Sequence, residues 1–258
     1  MASLPRISAS EFRARTAKNP AWCAALAAAL EVNGFCDLAG SNISQLSRFL
    51  IFSGRDPGSG RVADFSECRE LESAEGVFHG GVNFSGSGIS SISNLVVTQP
   101  DKDGRAAQFE GTRNLKVAEG IFCGSVNFSD SAITGIGSLV VARPNKIGDA
   151  ARFSRCVNLS IAEGTYPGFV SFSDSSVSRV GCLVITQPGP DGDEVEFDGC
   201  TGLDLVEGIL PGYVSAARSS TPPPSPVVKR RAPFKRPGPG HAPARDGLRL
   251  LLPPGSLP

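Results

Sequence analysis

The sequence predicts a mainly β fold: a repeat β-solenoid stack of about eight coils of ~22 residues each, with a short N-terminal helical cap and a disordered C-terminal tail. Three observations predict it. Seven segments recur at a fixed offset of 44 residues, apolar residues in them step by two, and Gly or Ser interrupts the chain every few residues. Strict two-residue alternation is the mark of a strand with one buried face, whereas a helix needs an apolar stripe of period 3.6 that these interruptions do not allow. The chain has 258 residues, 40% of them apolar, with 30 Gly and 20 Pro, so there is enough apolar material for a core and enough punctuation for frequent turns.

The cap is assigned to residues 1–33. Ser8 and Glu11 stand three apart as a capping box for a helix over 9–18, and Asn19–Pro20 reads as the start of a second helix over 20–31. Trp22, Leu26 and Leu30 share one face of that second helix, which is expected to lie on the coil at 43–51. The alanine-rich run AWCAALAAAL at 21–30 reads as this helix and not as a secretory leader.

The repeats are assigned to 34–215. The segments 63–76, 107–120, 151–164 and 195–208 align without gaps, as ADFSECRELESAEG, AQFEGTRNLKVAEG, ARFSRCVNLSIAEG and VEFDGCTGLDLVEG. Between them 82–97, 126–141 and 170–185 align with one another, so each 44-residue unit has two unlike halves. Leucines 71, 95, 115, 139, 159, 183 and 203 are alternately 24 and 20 residues apart, which makes one half-repeat one coil. The earliest copy is read as Ile43, Leu46, Phe49 and Ile51. Each coil offers two short strands, one around the Leu-x-Val step and one at pairs such as Val82–Phe84, and Phe65, 84, 109, 128, 153, 172 and 197 should stack inside. The segments at Pro100, Pro144 and Pro188 are read as turns along one edge.

The tail is assigned to 216–258, where the repeat pattern stops within a coil and 11 of the 20 prolines fall. Seven basic residues against Asp246 give 219–258 a charge of +6, so the body before it carries −6 to reach the chain total of +0. The cluster Lys229–Arg236 is the one place where nucleic acid binding is conceivable. A last coil without a cover suggests end-to-end self-association.

The half-repeats Phe65-x-x-Cys68-x-x-Leu71, Phe153-x-x-Cys156-x-x-Leu159 and Phe197-x-x-Cys200-x-x-Leu203 resemble the bacterial surface-antigen class of leucine-rich repeats. The resemblance covers roughly 43–210. It implies a curved repeat stack acting in adhesion or protein recognition, with no catalytic residue to carry over. A plain β-helix is the alternative.

The sequence therefore points to a non-catalytic protein-interaction scaffold. Expected contact residues are Lys116, Ser160 and Asp204, the outward residues of the Leu-x-Val strands, and Asp101, Lys102, Lys146 and Asp191 in the loops. No catalytic, metal or cofactor site is expected: His79 and His241 are the only histidines, and there is no Gly-rich phosphate loop. Cys68, Cys156 and Cys200 recur in one column, but at two-coil spacing (~10 Å) they are too far apart for one ion or a disulfide, and they are read as buried thiols. Glu75, Glu119, Glu163 and Glu207 form a carboxylate column assigned to a turn. Seven cysteines without a Cys-x-x-Cys pair favour a reducing, cytoplasmic setting, and no stretch is apolar enough to span a membrane. Two rival readings remain, a β-helix protein that binds or processes carbohydrate and a degenerate fragment of a longer array without specific activity.

Overall fold

A computed structural model describes residues 4–189, 192–203, 205–210, 213–215 and 227–230. The chain begins with β1 (Arg6–Ser8), α1 (Ala9–Lys18), β2 (Leu30–Asn33), β3 (Cys36–Asp37), β4 (Leu50–Phe52) and β5 (Arg61–Asp64). It continues with β6 (Ser73–Phe78), β7 (Gly81–Asn83), β8 (Ser91–Val97), β9 (Arg105–Gln108), β10 (Val117–Phe122), β11 (Ser125–Asn127) and β12 (Gly135–Val141). The remaining strands are β13 (Asp149–Arg152), β14 (Ile161–Tyr166), β15 (Phe169–Ser171), β16 (Arg179–Ile185), β17 (Asp193–Glu196), β18 (Leu205–Ile209), β19 (Tyr213–Ser215) and β20 (Val227–Arg230).

These strands build two parallel sheets. β1 and the even-numbered strands form an 11-stranded sheet in chain order, and the odd-numbered strands from β3 to β19 form a 9-stranded one. From β2 onward to β19 the chain alternates between the sheets, so each half-repeat adds one strand to each, as a repeat stack requires. Two unlike connections join them. Phe84–Ser90 and its equivalents lead from the smaller sheet to the larger, and the returns are long after β8, β12 and β16 but only two residues after β6, β10 and β14. The long returns are the turns expected at the prolines: Asp101 and Asn145 donate their N–H to Arg105 and Asp149, and Gly104 and Gly148 take φ of 86° and 90°.

The core lies between the sheets. Phe65, Phe84, Phe109, Phe128, Phe153, Phe172 and Phe197 form one stack with centroids 4.9 to 5.3 Å apart, each ring nearly parallel to the next. That spacing is the pitch of a parallel ladder plus the slight offset that aromatic faces prefer. Phe78, Phe122 and Tyr166 come from the larger sheet and meet this stack edge-on at 6.2 to 6.4 Å. Beside the stack runs a column of small polar side chains. Cys68, Cys156 and Cys200 donate S–H to the carbonyls of Leu38, Phe128 and Phe172, and Ser41, Ser131 and Ser175 sit 3.5 to 3.6 Å from their sulfurs. The thiols are free, and burial pushes the Cys156 thiol up to about 11.

Four expectations are corrected. Helix α1 is capped by Ser8, whose hydroxyl accepts from the Glu11 N–H as anticipated, but the second helix is only a 3-10 turn, Trp22–Ala25. Residues 30–33 join the larger sheet as β2, because burying Leu30 and Val32 in a ladder with Leu50–Phe52 outweighs the helix propensity of alanine. In the first copy Leu50 and Phe52 are the buried residues, one place beyond the Phe49 and Ile51 expected. The Leu-x-Val step is a strand with one face buried only in alternate layers: Leu115 precedes β10, and Val117 is 43% exposed. Finally, Val227–Arg230 lies in the stretch expected to be structureless, yet it pairs in parallel with β18 and occupies the end of the larger sheet that was expected to be open. The rest of 216–258 lies outside the described residues. Among the described residues no helix is long and apolar enough to cross a membrane.

Candidate partner-binding face

The outer face of the larger sheet carries the feature that chemistry leaves unexplained as packing. In parallel pairing, residues of equal register stand above one another, so one outward position becomes a row perpendicular to the strands. One such row reads Ile51, Val77, Val96, Ile121, Val140, Thr165, Val184 and Ile209, each paired with the next. Seven of these eight side chains are aliphatic, none is buried, and Ile121 and Val140 at the centre are 42% and 40% exposed. Val117, 43% exposed, lies on the same face but beyond Glu119, four residues before Ile121 in β10.

A carboxylate column flanks the stripe. Glu75, Glu119, Glu163 and Glu207 stand two residues before Val77, Ile121, Thr165 and Ile209 on the same face, within β6, β10, β14 and β18. They are therefore strand residues at a bulge and not turn residues, which corrects the sequence reading. Opposite Glu75 the neighbouring strand places both Ser93 and Asn94, and the register shifts there. The glycine after each Glu is obligatory: at Gly76, φ is 118° and a Cβ would lie 2.8 Å from the Leu50 carbonyl oxygen. In the next layer stand Ser93, Gly137 and Gly181. Ser93 donates its hydroxyl to Glu75 Oε1 at 2.8 Å, and a Cβ on Gly137 would come within 2.9 Å of Glu119 Oε1, so the small residue leaves room for the carboxylate. The other flank of the stripe is neutral from Thr98 onward, through Cys123, Ala142, Pro167 and Thr186.

The outer face of the smaller sheet has a different character. Its main row runs Asp64, Asn83, Gln108, Asn127, Arg152, Ser171 and Glu196. A shallow cleft of about 550 Å³ lies over it. These groups satisfy one another: Asn83 donates to Asp64, Arg61 to Gln108, Arg152 to Asp149 at 2.6 Å, and Ser171 to Glu196. Beside the row Arg155 holds Asp130 through two 2.6 Å bonds, and this pairing keeps the Asp130 carboxyl below the usual carboxylate range.

The contact residues expected from sequence do not form one site. Lys116 and Ser160 are exposed, but they sit in the connections before β10 and β14, where Ser160 donates its hydroxyl to the Thr134 carbonyl. Lys102 and Lys146 are exposed at the opposite connection, with Lys146 Nζ 4.0 Å from Asp103. Asp101 is only 8% exposed and accepts the N–H groups of Asp103 and Arg105, so it builds the turn and is closed to a partner. Asp191 and Asp204 lie outside the described residues.

Sequence reasoning missed the stripe, although a signal was there. The runs LVV, LVV and LVI at 95–97, 139–141 and 183–185 put an apolar residue where alternation calls for a polar one. His79 bonds Thr98 through Nδ1, and burial holds its pKa below the ordinary histidine value. Among the described residues no group of His, Cys, Asp and Glu is placed to hold a metal ion. No protein-family model, curated protein or solved structure matches the chain.

Proposed function

We propose that the chain is a β-solenoid scaffold without catalytic function that binds a protein partner on the outer face of its larger sheet. The solenoid reading is supported by strand order that follows the chain in both sheets and by the unbroken Phe stack. The length of the second sheet favours a plain β-helix over the leucine-rich-repeat-like form. The binding reading is carried by one observation: the aliphatic row from Ile51 to Ile209 stays in register and reaches the surface at Ile121 and Val140. Soluble folds spend outward strand positions on polar side chains, and a contiguous apolar patch rimmed by charge marks a contact surface. Carbohydrate binding has less support, since the polar groups of the smaller sheet bond one another and, among the described residues, its cleft has Phe169 as its one aromatic. A degenerate remnant would not be expected to keep seven rings in register.

A photo-crosslinking amino acid placed at Val140, and separately at Asn127 on the opposite face, tests the reading in cells that express the full chain. A discrete protein adduct from position 140 and none from 127 is the expected outcome. No adduct at 140, or equal adducts at both, removes the proposal.

A further inference from the structure

Resting on that reading, we infer that the partner presents an amphipathic α-helix along the stack axis, across the strands, with a basic edge against Glu119 and Glu163. Two periodicities decide between secondary structures. Stripe residues rise by ~4.8 Å per layer. A helix lying along them offers an apolar residue each turn, every 5.4 Å, whereas same-face residues of an extended strand come every ~6.6 Å. The helix is mismatched by about one part in eight and drifts by half a layer only after about four layers, whereas the strand, mismatched by more than one part in three, does so in little more than one.

The carboxylates have a matching period. Glu119 and Glu163 are two layers apart, ~9.6 Å, while helix residues seven apart are separated by ~10.5 Å. Lys or Arg at every seventh position on one flank therefore meets successive carboxylates, and a long basic side chain absorbs the remaining ~1 Å. Neither carboxylate has a side-chain partner among the described residues, in contrast to Glu75, which is bonded to Ser93. Because the other flank is neutral, the basic edge also fixes which way round the helix lies. Val77 to Ile209 spans six layer steps, ~29 Å, which a helix of about 19 residues covers. The same acidic column argues against an anionic lipid surface as the occupant.

The test measures fluorescence anisotropy of a labelled 19-residue probe helix with leucines on one face and Lys at every seventh position of one flank, against the full chain. A second probe carries Glu in place of Lys. The inference expects the Lys probe to bind at least 10-fold more tightly than the Glu probe, and more weakly as salt rises. E119Q with E163Q should weaken the Lys probe 3- to 10-fold and flatten its salt dependence, while V140E should abolish binding. Equal binding of both probes, or an unchanged affinity in the E119Q/E163Q variant, overturns the basic edge and leaves the scaffold reading intact. Probe binding that V140E does not affect overturns the face itself. Displacement of the probe by an equimolar peptide of residues 231–249 identifies the chain's own basic segment as occupant, and adsorption of the chain to phosphatidylglycerol vesicles identifies a membrane; either overturns the inference.

Discussion

Replacing Phe128 with Ala should cost about 4 kcal/mol, as Phe-to-Ala changes in packed cores do. Phe128 is fully buried, with Phe109 at 4.9 Å on one side and Phe153 at 5.3 Å on the other. Its backbone N–H to Arg152 O is untouched by the change, so the loss is one of ring burial, the cavity left behind and two ring pairs. Phe197 provides the comparison: among the described residues it has one ring neighbour, Phe172 at 5.2 Å, and it is slightly exposed. Phe197→Ala should therefore cost less than Phe128→Ala by at least one ring pair, about 0.5–1.5 kcal/mol. Phe128→Leu, which keeps most of the volume, should cost less than ~2 kcal/mol. Urea unfolding followed by circular dichroism gives the total, and hydrogen exchange at the Phe109 and Phe153 amides reports local opening of the adjacent layers. If Phe128→Ala stays within about 1 kcal/mol of wild type, or costs no more than Phe197→Ala, the rings are not a continuous stack and the argument from them fails.

Gly76→Ala should destabilise by about 1–3 kcal/mol, since φ is 118° and the new Cβ meets Leu50 O at 2.8 Å, while Gly135→Ala, with nothing within 4 Å, should be neutral or slightly stabilising in the same urea titration. Asp101→Ala should cost about 1–3 kcal/mol by orphaning the Asp103 and Arg105 N–H groups, and the exposed Lys102→Ala should change the midpoint little; equal effects would return Asp101 to the surface. At pH 8 iodoacetamide should label exposed Cys182 in the native chain and leave Cys23, Cys36 and Cys156 unlabelled until urea unfolds it, which peptide mass mapping checks. Those three thiols are raised by burial to about 12, 12 and 11, so their contribution to stability is full below the ordinary thiol pKa of 9.0 and is lost as pH rises toward 11–12. A stability profile flat between pH 8 and 11 would contradict this burial.

The features legible in the sequence are those that repeat with the stack. The Phe column, the two strands per half-repeat, the proline turns and the thiol column were readable because each layer presents the same position to the same neighbour. The second aromatic row was readable in the runs EGVF, EGIF and EGTY, but the eye follows Leu-x-Val there and places the strand two residues early. What could not be read is where local preference and ladder pairing disagree. Residues 24–29 are helix-forming in isolation, and it is the pairing of Leu30–Asn33 with β4 and β1 that draws the chain out. Val227–Arg230 carries little strand signal among its prolines, and it is a strand because β18 offers a free edge in register.

The two unlike halves have one physical cause. An aromatic ring from the larger sheet must enter the core edge-on against the Phe stack, and its width exceeds one layer of ~4.8 Å. Phe78, Phe122 and Tyr166 are accordingly separated by layers whose equivalent residues are the smaller Val97 and Val141. Where two aromatic layers do adjoin, at Phe52 and Phe78, the rings turn parallel and stack at 4.7 Å. Large and small thus alternate inside, and outside the sequence alternates with them: the layer with the large core residue carries Glu-Gly, and the layer with the small one carries the bulge that receives the carboxylate. The repeating unit is therefore two layers, and the ~9.6 Å carboxylate spacing on the surface follows from the packing of rings in the core.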